Sequence, residues 1–320
     1  MDIQRGIAII MNTWLDIRRD ELILLVTDET HVRELEAFDR FARSQDAILK
    51  SIVLNSADVQ NGDCIDAIAP LLDSANVIIG ATDYSFITAR PVSKAVARGA
   101  RFLSLPLSCS DGTSLLENEF IGMSPVAARR MAQRLLPPLE RCDTIHVTTE
   151  AGTDLIFRKR GRQPGCYCGM ADHRRAIGSA SFEVYVPIEE HETEGRLILD
   201  GSLGYLGLVR SPIEIHFSHG TLSAVSHSED TVRLLEYMEH FNDPTMYQAA
   251  EFGIGLNTIS RCRGVSYIED ESTFHTFHIG MGRNISLGGI QEAAGHFDIV
   301  THRPTIYAGT TMIMQDGELV

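Results

Sequence analysis

The feature of this sequence that most constrains its fold is an alternation of short apolar runs and amphipathic stretches before residue 142. The first apolar run, at 22–27, precedes a stretch at 31–43 in which Leu35, Phe38 and Phe41 recur at helical spacing. Apolar strands that alternate with helices are typical of a parallel sheet buried on both faces. We therefore predict an α/β domain with a doubly wound parallel sheet over residues 1–141. Its other expected strands lie at 48–54, 77–81 and 101–106, and its other expected helices at 64–72, 91–98 and 124–136.

The residues after the first predicted strand disfavour a nucleotide-binding enzyme. They read Thr27-Asp28-Glu29-Thr30, with two acids and no glycine. Neither G-x-G-x-x-G nor G-x-x-x-x-G-K-[ST], the loops that hold phosphates against a helix N-terminus, occurs in the chain. We therefore look for the chemistry in the second half of the sequence.

The charge balance narrows the class of partner. There are 28 basic and 43 acidic residues, a net charge of −15, and such a surface repels nucleic acid and anionic membranes. No stretch approaches the ~20 apolar residues of a membrane helix, and the first residues lack the pattern of a secretory signal. We expect a cytoplasmic protein whose partners include neither nucleic acid nor membranes.

The six cysteines are scattered and match neither a disulfide framework nor the spacing of a typical zinc site. Only Cys166 and Cys168 lie close together, in the turn-rich segment GRQPGCYCG. We expect reduced thiols throughout, and an ordinary exposed segment around this pair.

After about residue 142 the pattern changes to short alternating strands separated by turn residues. Two hairpins are predicted, at 143–149 with 153–159 and at 213–217 with 222–225, and further strands at 274–280 and 297–301. Ten of the twelve histidines lie after residue 160. We predict an α+β domain rich in antiparallel strands over residues 142–320.

Strand alternation separates candidate ligands from core residues in this half. Glu183 lies on the face opposite Phe182, Val184 and Val186, and His278 lies opposite an apolar face. His296 and Asp298 share one strand face, and Glu251 precedes what we interpret as a glycine-rich bend at 253–255. Taken singly, each has an ordinary alternative, because solvated glutamates and chance His-x-Asp pairs are common.

Two further features of these segments favour a binding site. His275 shares its predicted strand face with Phe277 and Ile279, so we expect it to be a packed core residue rather than a ligand. One stretch of fewer than 40 residues contains Gly253, Gly255, Gly280, Gly282, Gly288 and Gly289. Glycines gather where backbone bends sharply or approaches a ligand closely.

Read in order, these segments resemble a known group of enzymes. The segments A-E-F-G-I-G-L-N from Ala250, F-H-I-G-M-G from Phe277, the pair Gly288-Gly289 and H-F-D from His296 resemble the aminopeptidase T family of metallopeptidases. They equally resemble the related iron-dependent 2,5-dihydroxypyridine dioxygenases. The resemblance runs in order from about residue 20 to the end.

The resemblance implies a metal site. Carried over by position, its ligands are Glu183, Glu251, His278, His296 and Asp298. Peptidases of this type hold two divalent ions, zinc, cobalt or manganese, and three carboxylates against two such ions leave a charge of +1. Five ligands suit two ions that share a bridging carboxylate better than one zinc site.

The sequence departs from both patterns. The peptidases have a tyrosine shortly after the histidine matched by His278, but the residues at 283–286 are Arg-Asn-Ile-Ser. The dioxygenases bind one Fe(II) through two histidines and a carboxylate, and Glu251 stands where their third ligand is a histidine. The two departures point in opposite directions.

The resemblance leads us to expect a metal-dependent hydrolase that cleaves an amide or peptide-like bond of a small molecule or a short peptide, with Glu183 or Glu251 as the general base. The alternative is an Fe(II)-dependent, ring-cleaving dioxygenase of the 2,5-dihydroxypyridine type. A binding protein that keeps the fold without metals is a third hypothesis, against which the intact ligand set argues. If the chemistry lies in the second domain, we expect the first domain to serve as a scaffold and as the surface of a homodimer.

Overall fold

The protein is described by a computed structural model that covers residues 1–61, 63–173 and 176–320. Two compact units are present. The first consists of Met1–Pro125 and Tyr167–Ser181, and the second of Val126–Cys166 and Phe182–Val320. The predicted division after residue 141 differs from these units in two places, because 126–141 belong to the second unit and 167–181 to the first.

The elements follow the predicted order. The helices are α1 (Ile3–Ile9), α2 (Val32–Ser44), α3 (Ser56–Asn61), α4 (Asp63–Ala67), α5 (Ala69–Leu72), α6 (Arg90–Ala97), α7 (Pro125–Arg141), α8 (Glu229–His240) and α9 (Tyr267–Ser272). The strands are β1 (Leu22–Asp28), β2 (Ile48–Leu54), β3 (Val77–Ala81), β4 (Arg101–Ser104), β5 (Thr144–Thr148), β6 (Asp154–Arg158), β7 (Gly165–Cys168), β8 (Ile177–Ser179), β9 (Phe182–Pro187), β10 (Glu194–Leu199), β11 (Ile213–Ser218), β12 (Thr221–Val225), β13 (Ala249–Gly255), β14 (Thr276–Gly282), β15 (His296–His302), β16 (Thr305–Ala308), β17 (Thr311–Gln315) and β18 (Glu318–Leu319).

The first unit contains a five-stranded sheet in the order β2-β1-β3-β4-β8, and all of its strand pairs are parallel. The apolar runs of β1 and β3 are buried in its centre, which confirms the predicted α/β class. The apolar residues of β2 are less buried than those of β1 and β3. Strand β2 lies at the edge of the sheet, and its Ile48 and Val53 are half exposed. An edge strand has a neighbour on one side only.

The second unit is built from antiparallel sheets, as predicted. One has eight strands in the order β12-β11-β10-β6-β5-β16-β17-β18, and the other has the order β15-β14-β13-β9-β7. Both predicted hairpins form, as β5–β6 and β11–β12. Phe157 of the larger sheet contacts Phe252 of the smaller at 5.4 Å between ring centroids, and Phe252 in turn lies 6.2 Å from Phe277. These rings form part of an apolar layer between the sheets.

Two local predictions are wrong. Cys166 and Cys168 lie in β7 and are buried, so their segment is not an exposed turn. His275 is exposed and adopts a φ of 71°, so β14 begins only at Thr276 and His275 is no core residue. Its ring Nδ1 lies 3.1 Å from the carbonyl oxygen of Gly317.

No helix in the described part of the chain is long and apolar enough to cross a membrane.

Candidate metal centre

The register of the five-stranded sheet places the candidate ligands on one face. Residues paired across neighbouring strands point to the same side of a sheet. Glu183 pairs with Gly255, and Glu251 pairs with Gly280, which also pairs with Asp298 on its other side. His278 pairs with Gly253 and His296 with Gly282. Each of the five candidate side chains therefore has a glycine as a cross-strand neighbour, and the five lie on four adjacent strands.

The side-chain atoms form two groups of three potential ligands that share one residue. Glu183, Glu251 and His278 form the first group, and Glu251, His296 and Asp298 form the second, with ligand atoms within 4.8 Å of one another in each. His278 Nε2 lies 2.9 Å from Glu183 Oε2. His296 Nε2 lies 3.2 Å from Glu251 Oε2 and 3.5 Å from Asp298 Oδ1. Glu251 is thus placed to contact a cation in either group.

Two glycines make this convergence possible. A Cβ on Gly253 would lie 1.8 Å from His278 Nε2, and a Cβ on Gly280 would lie 2.6 Å from His296 Cε1 and 2.8 Å from Glu251 Oε2. Any larger residue would occupy the space of a ligand. The glycines after Glu251 lie within strand β13 and not in the predicted bend, so their role here is to leave room.

A backbone contact fixes the orientation of one imidazole. His296 Nδ1 lies 2.7 Å from the carbonyl oxygen of Arg283. A carbonyl oxygen only accepts, so Nδ1 carries the proton and Nε2 is directed at Glu251 and Asp298. Metal-ligating histidines usually donate their other ring N–H in this way.

Burial and the neighbouring charges shift the pKa values of the ionisable groups in the site. Burial, together with the nearby carboxylates of Glu183 and Asp298, raises the pKa of Glu251 to about 7, although His296 opposes the shift. Burial lowers the pKa of His278, but its hydrogen bond with Glu183 and the surrounding carboxylates outweigh burial and raise that pKa to about 9. The site therefore favours positive charge at its centre.

The other pair of ligands shows the same balance. Burial lowers the pKa of His296, but Asp298 and Glu251 outweigh burial and raise it well above its ordinary value. Burial raises the pKa of Asp298, but the two histidines outweigh burial and lower it. Each of the two imidazoles therefore lies beside at least one carboxylate of the site.

One acid of the site was not predicted. Glu271 in α9 is buried, and its pKa is raised well above the ordinary value by burial and by Asp298, Glu183 and Glu251. The sequence offers only a weak signal for it, the run of consecutive acids Glu269-Asp270-Glu271. Such a run is usually a solvated helix face, and nothing in the local sequence shows that this one is buried.

The residues fit a metal ion. Within the described chain, Glu271 Oε2, His278 Nδ1 and Asp298 Oδ1 are buried and have no hydrogen-bond partner. Four buried carboxyl groups (Glu183, Glu251, Glu271, Asp298) stand against two imidazoles. Buried charges are ordinarily paired or bound to metal, and carboxylate with imidazole is a ligand set suited to divalent iron, manganese or zinc.

A buried cluster of acids and histidines on such a sheet is a ligand arrangement typical of metal-dependent enzymes. Residues 18–320 match the family model described as NicX, 2,5-dihydroxypyridine 5,6-dioxygenase, and the chain belongs to this family. The 2,5-dihydroxypyridine 5,6-dioxygenase of Pseudomonas putida KT2440 is 24% identical over 196 residues, which are 57% of this chain and 55% of the relative. The match thus spans about half the length of that curated relative.

Two solved structures share the fold. The 2,5-dihydroxypyridine dioxygenase of Pseudomonas putida KT2440 superposes with a TM-score of 0.82 and 17% identity, over 99% of this chain and 96% of its own. Wild-type AmpT of Thermus thermophilus gives 0.65 and 14%, over 99% and 98%. The expected resemblance to both groups is confirmed.

Proposed function

We propose that the protein is a metal-dependent dioxygenase that opens the ring of a dihydroxylated aromatic molecule, with 2,5-dihydroxypyridine as the first candidate substrate. The single observation that carries this proposal is membership of the 2,5-dihydroxypyridine 5,6-dioxygenase family over residues 18–320. The comparisons therefore favour the function that the sequence placed second over the hydrolase that it placed first.

Glu251, His296 and Asp298 are the residues that would hold a single Fe(II) in this function. The usual arrangement is two imidazoles and one carboxylate on one side of the iron, and here Glu251 replaces one imidazole. Iron in such a site supplies the redox chemistry with dioxygen. His296 has 25% of its side chain exposed, against 8% or less for Glu251 and Asp298. Substrate would therefore approach from the side of His296.

Glu183 and His278 would have a different role in a dioxygenase. They form a hydrogen-bonded carboxylate–imidazole pair beside Glu251, with 2.9 Å between Oε2 and Nε2. Such a pair can hold a proton and exchange it with a substrate hydroxyl. It would also orient the substrate ring by a hydrogen bond, since both side chains are almost fully buried and fixed in place.

The hydrolase remains a second candidate because one observation favours it. Glu183, Glu251 and His278 form a second ligand group that shares Glu251 with the first. A carboxylate common to two groups suits a pair of divalent ions, which together would lower the pKa of a water molecule and polarise an amide carbonyl. Glu183 or Glu251 would then act as the general base on a small amide or a short peptide.

The two functions differ in metal content and in their need for oxygen. We expect protein purified without chelator to contain one iron per chain and to consume one dioxygen per molecule of 2,5-dihydroxypyridine lost. An anaerobic chamber should abolish this turnover. Two equivalents of zinc, cobalt or manganese, together with oxygen-independent cleavage of amide substrates, would overturn the dioxygenase proposal in favour of the hydrolase.

Replacing Glu251 provides an independent test. Glu251→His restores the common two-histidine, one-carboxylate set, so a dioxygenase should keep its iron and its oxygen-dependent turnover to within about tenfold. A two-metal hydrolase should instead lose nearly all activity, because one imidazole nitrogen cannot bridge two ions. Glu251→Ala is the control, since it removes a ligand in either case and should lose metal.

A further inference from the structure

The loop that joins strands β14 and β15 is held by one buried amide. Asn284 lies in this loop and is fully buried. Its Nδ2 donates to Glu190 Oε1 at 2.9 Å and to the carbonyl oxygen of Ala250 at 3.0 Å. Its Oδ1 accepts a hydrogen bond from the backbone N–H of Gln291 at 3.0 Å. Both donors of the amide and its acceptor are therefore engaged.

The carboxylate that this amide contacts is itself fixed in orientation. Arg162 Nη1 and Nη2 donate to the two carboxylate oxygens of Glu190 at 2.9 and 2.8 Å, a two-point contact that sets the plane of the carboxylate. The backbone N–H of Ile290 donates to Glu190 Oε1 at 3.0 Å. Nζ of the fully buried Lys159 donates to the carbonyl oxygen of Arg162 at 2.7 Å. Glu190 is therefore held in one orientation as an acceptor for Asn284.

The amide of Asn284 is connected to two candidate ligands through the backbone. Ala250, whose carbonyl oxygen it contacts, directly precedes Glu251 in β13. Arg283 directly precedes Asn284, and its carbonyl oxygen lies 2.7 Å from His296 Nδ1. Glu251 and His296 lie on strands that are separated by β14. The amide therefore joins the backbone beside one ligand to the backbone that orients the other.

The glycine pair of this loop leaves room for the amide. A Cβ on Gly289 would lie 2.1 Å from Asn284 Oδ1, and the N–H of Gly289 donates to the carbonyl oxygen of Asn284 at 3.1 Å. Gly288 has a φ of 108°, in the region that favours glycine. The pair Gly288-Gly289 thus allows the loop to close over Asn284.

We propose that Asn284 is a positioning residue of the metal centre, which fixes the carbonyl oxygen facing His296 and the backbone beside Glu251 in one arrangement. Glu190 holds the amide of Asn284 in place. The inference rests on the proposed metal centre and adds to it a residue that acts through the backbone of its neighbours. Loss of partners that orient a ligand usually weakens metal binding about 10- to 100-fold.

Titration of Mn²⁺ alone into the chelator-treated full chain measures this role. Asn284→Ala removes both donors and should raise the Kd for Mn²⁺ about 10- to 100-fold. Asp230→Ala is the matched control, because Asp230 is also buried and accepts hydrogen bonds from the backbone N–H of Arg210 and from the guanidinium of Arg233. Both variants should lower the melting temperature of the metal-free protein, but Asp230→Ala should leave the Kd unchanged.

Two substitutions of Glu190 separate positioning from stability. Glu190→Gln keeps Oε1 as an acceptor for Asn284 and Ile290 but loses the charge that faces Arg162. Its melting temperature should fall, while its Kd for Mn²⁺ should stay within about threefold of the wild type. Glu190→Ala also removes the acceptor, so its Kd should rise about tenfold or more. Because both variants lose the ion pair, a purely structural network would change the two Kd values equally.

Gly289→Ala tests the same amide without deleting it and decides the matter if Asn284→Ala does not fold. Its Cβ would displace Asn284 Oδ1, so its Kd should rise as well. A wild-type protein that binds no Mn²⁺ would overturn the metal centre itself. If the wild type binds but Asn284→Ala and Gly289→Ala bind as tightly, or Glu190→Gln loses as much affinity as Glu190→Ala, only the role of Asn284 is overturned.

Discussion

At the residue scale, the metal centre depends on side chains that are absent. Gly253 and Gly280 lie opposite His278 and Glu251 in the sheet, where an added methyl group would overlap the ligands. Neither glycine has a φ in the left-handed region. Their requirement is therefore one of space and not of backbone conformation, so even alanine should be harmful.

We predict that Gly253→Ala displaces His278 and costs about 1–3 kcal/mol of the free energy of unfolding, as overpacked cores do. Metal content should fall as well, because His278 and Glu183 move together. Urea unfolding and metal analysis of the purified variant check both effects. Gly122→Ala is the control, since its Cβ would meet only the flexible end of Met1 at 3.8 Å. Full metal content in Gly253→Ala would contradict this assignment of space.

Single residues also show which parts of the site could be predicted from the sequence. Strand alternation alone directed Glu183, His278, His296 and Asp298 away from the core, and the sheet does gather them on one face. Glu271 could not be found in this way. Its burial comes from long-range packing of α9, whose local pattern of three acids is that of an exposed helix.

At the element scale, a buried cluster joins strands β1 and β3 to the start of α2. His31 Nε2 lies 2.8 Å from Asp83 Oδ1, and the backbone N–H of Asp83 donates to Asp28 Oδ2 at 2.7 Å. Burial lowers the pKa of His31, but Asp83, Glu34 and Asp28 outweigh it and raise the pKa from 6.5 to about 9. A charged imidazole therefore holds together two acids at the carboxyl ends of β1 and β3, Asp28 and Asp83, and one acid of α2, Glu34.

This cluster predicts a pH dependence of stability. Because the folded-state pKa of His31 is raised, its stabilisation is fully present below about pH 6.5 and is lost as the pH rises through about 9. We expect the free energy of unfolding of the wild type to exceed that of His31→Gln by up to about 3 kcal/mol at pH 6. At pH 10 this difference should be nearly gone. Urea unfolding at both pH values measures it. His219→Gln, at an exposed site, should show no such change, and a constant difference for His31→Gln would refute the role.

Elements were easier to predict than their partners. The apolar runs predicted β1, β3 and β4 because a buried parallel strand leaves a local signature. Strand β8 was not predicted, since it has three residues and pairs with β4, more than 70 residues earlier in the chain. Short strands of this kind are stabilised by a distant neighbour, which no local pattern records.

At the scale of the whole molecule, the acidic composition has an internal as well as an external part. The net charge of −15 predicted a surface unsuited to nucleic acid, yet acids such as Glu251 and Asp298 are concentrated in the interior of the second unit. Composition cannot show this, because burial is decided by the fold. The homodimer, the cytoplasmic location and the substrate stay predictions.

The first unit is completed by a segment that follows part of the second. The first unit consists of residues up to Pro125 and of the later segment Tyr167–Ser181. This later segment contains β8, which pairs with β4. A fragment that stops before residue 177 would leave the edge of β4 open to pairing with other chains. Recombination between homologues within 126–166 would likewise combine β1 to β4 of one parent with β8 of the other. Such a chimaera can complete its first sheet only if β8 of one parent pairs with β4 of the other.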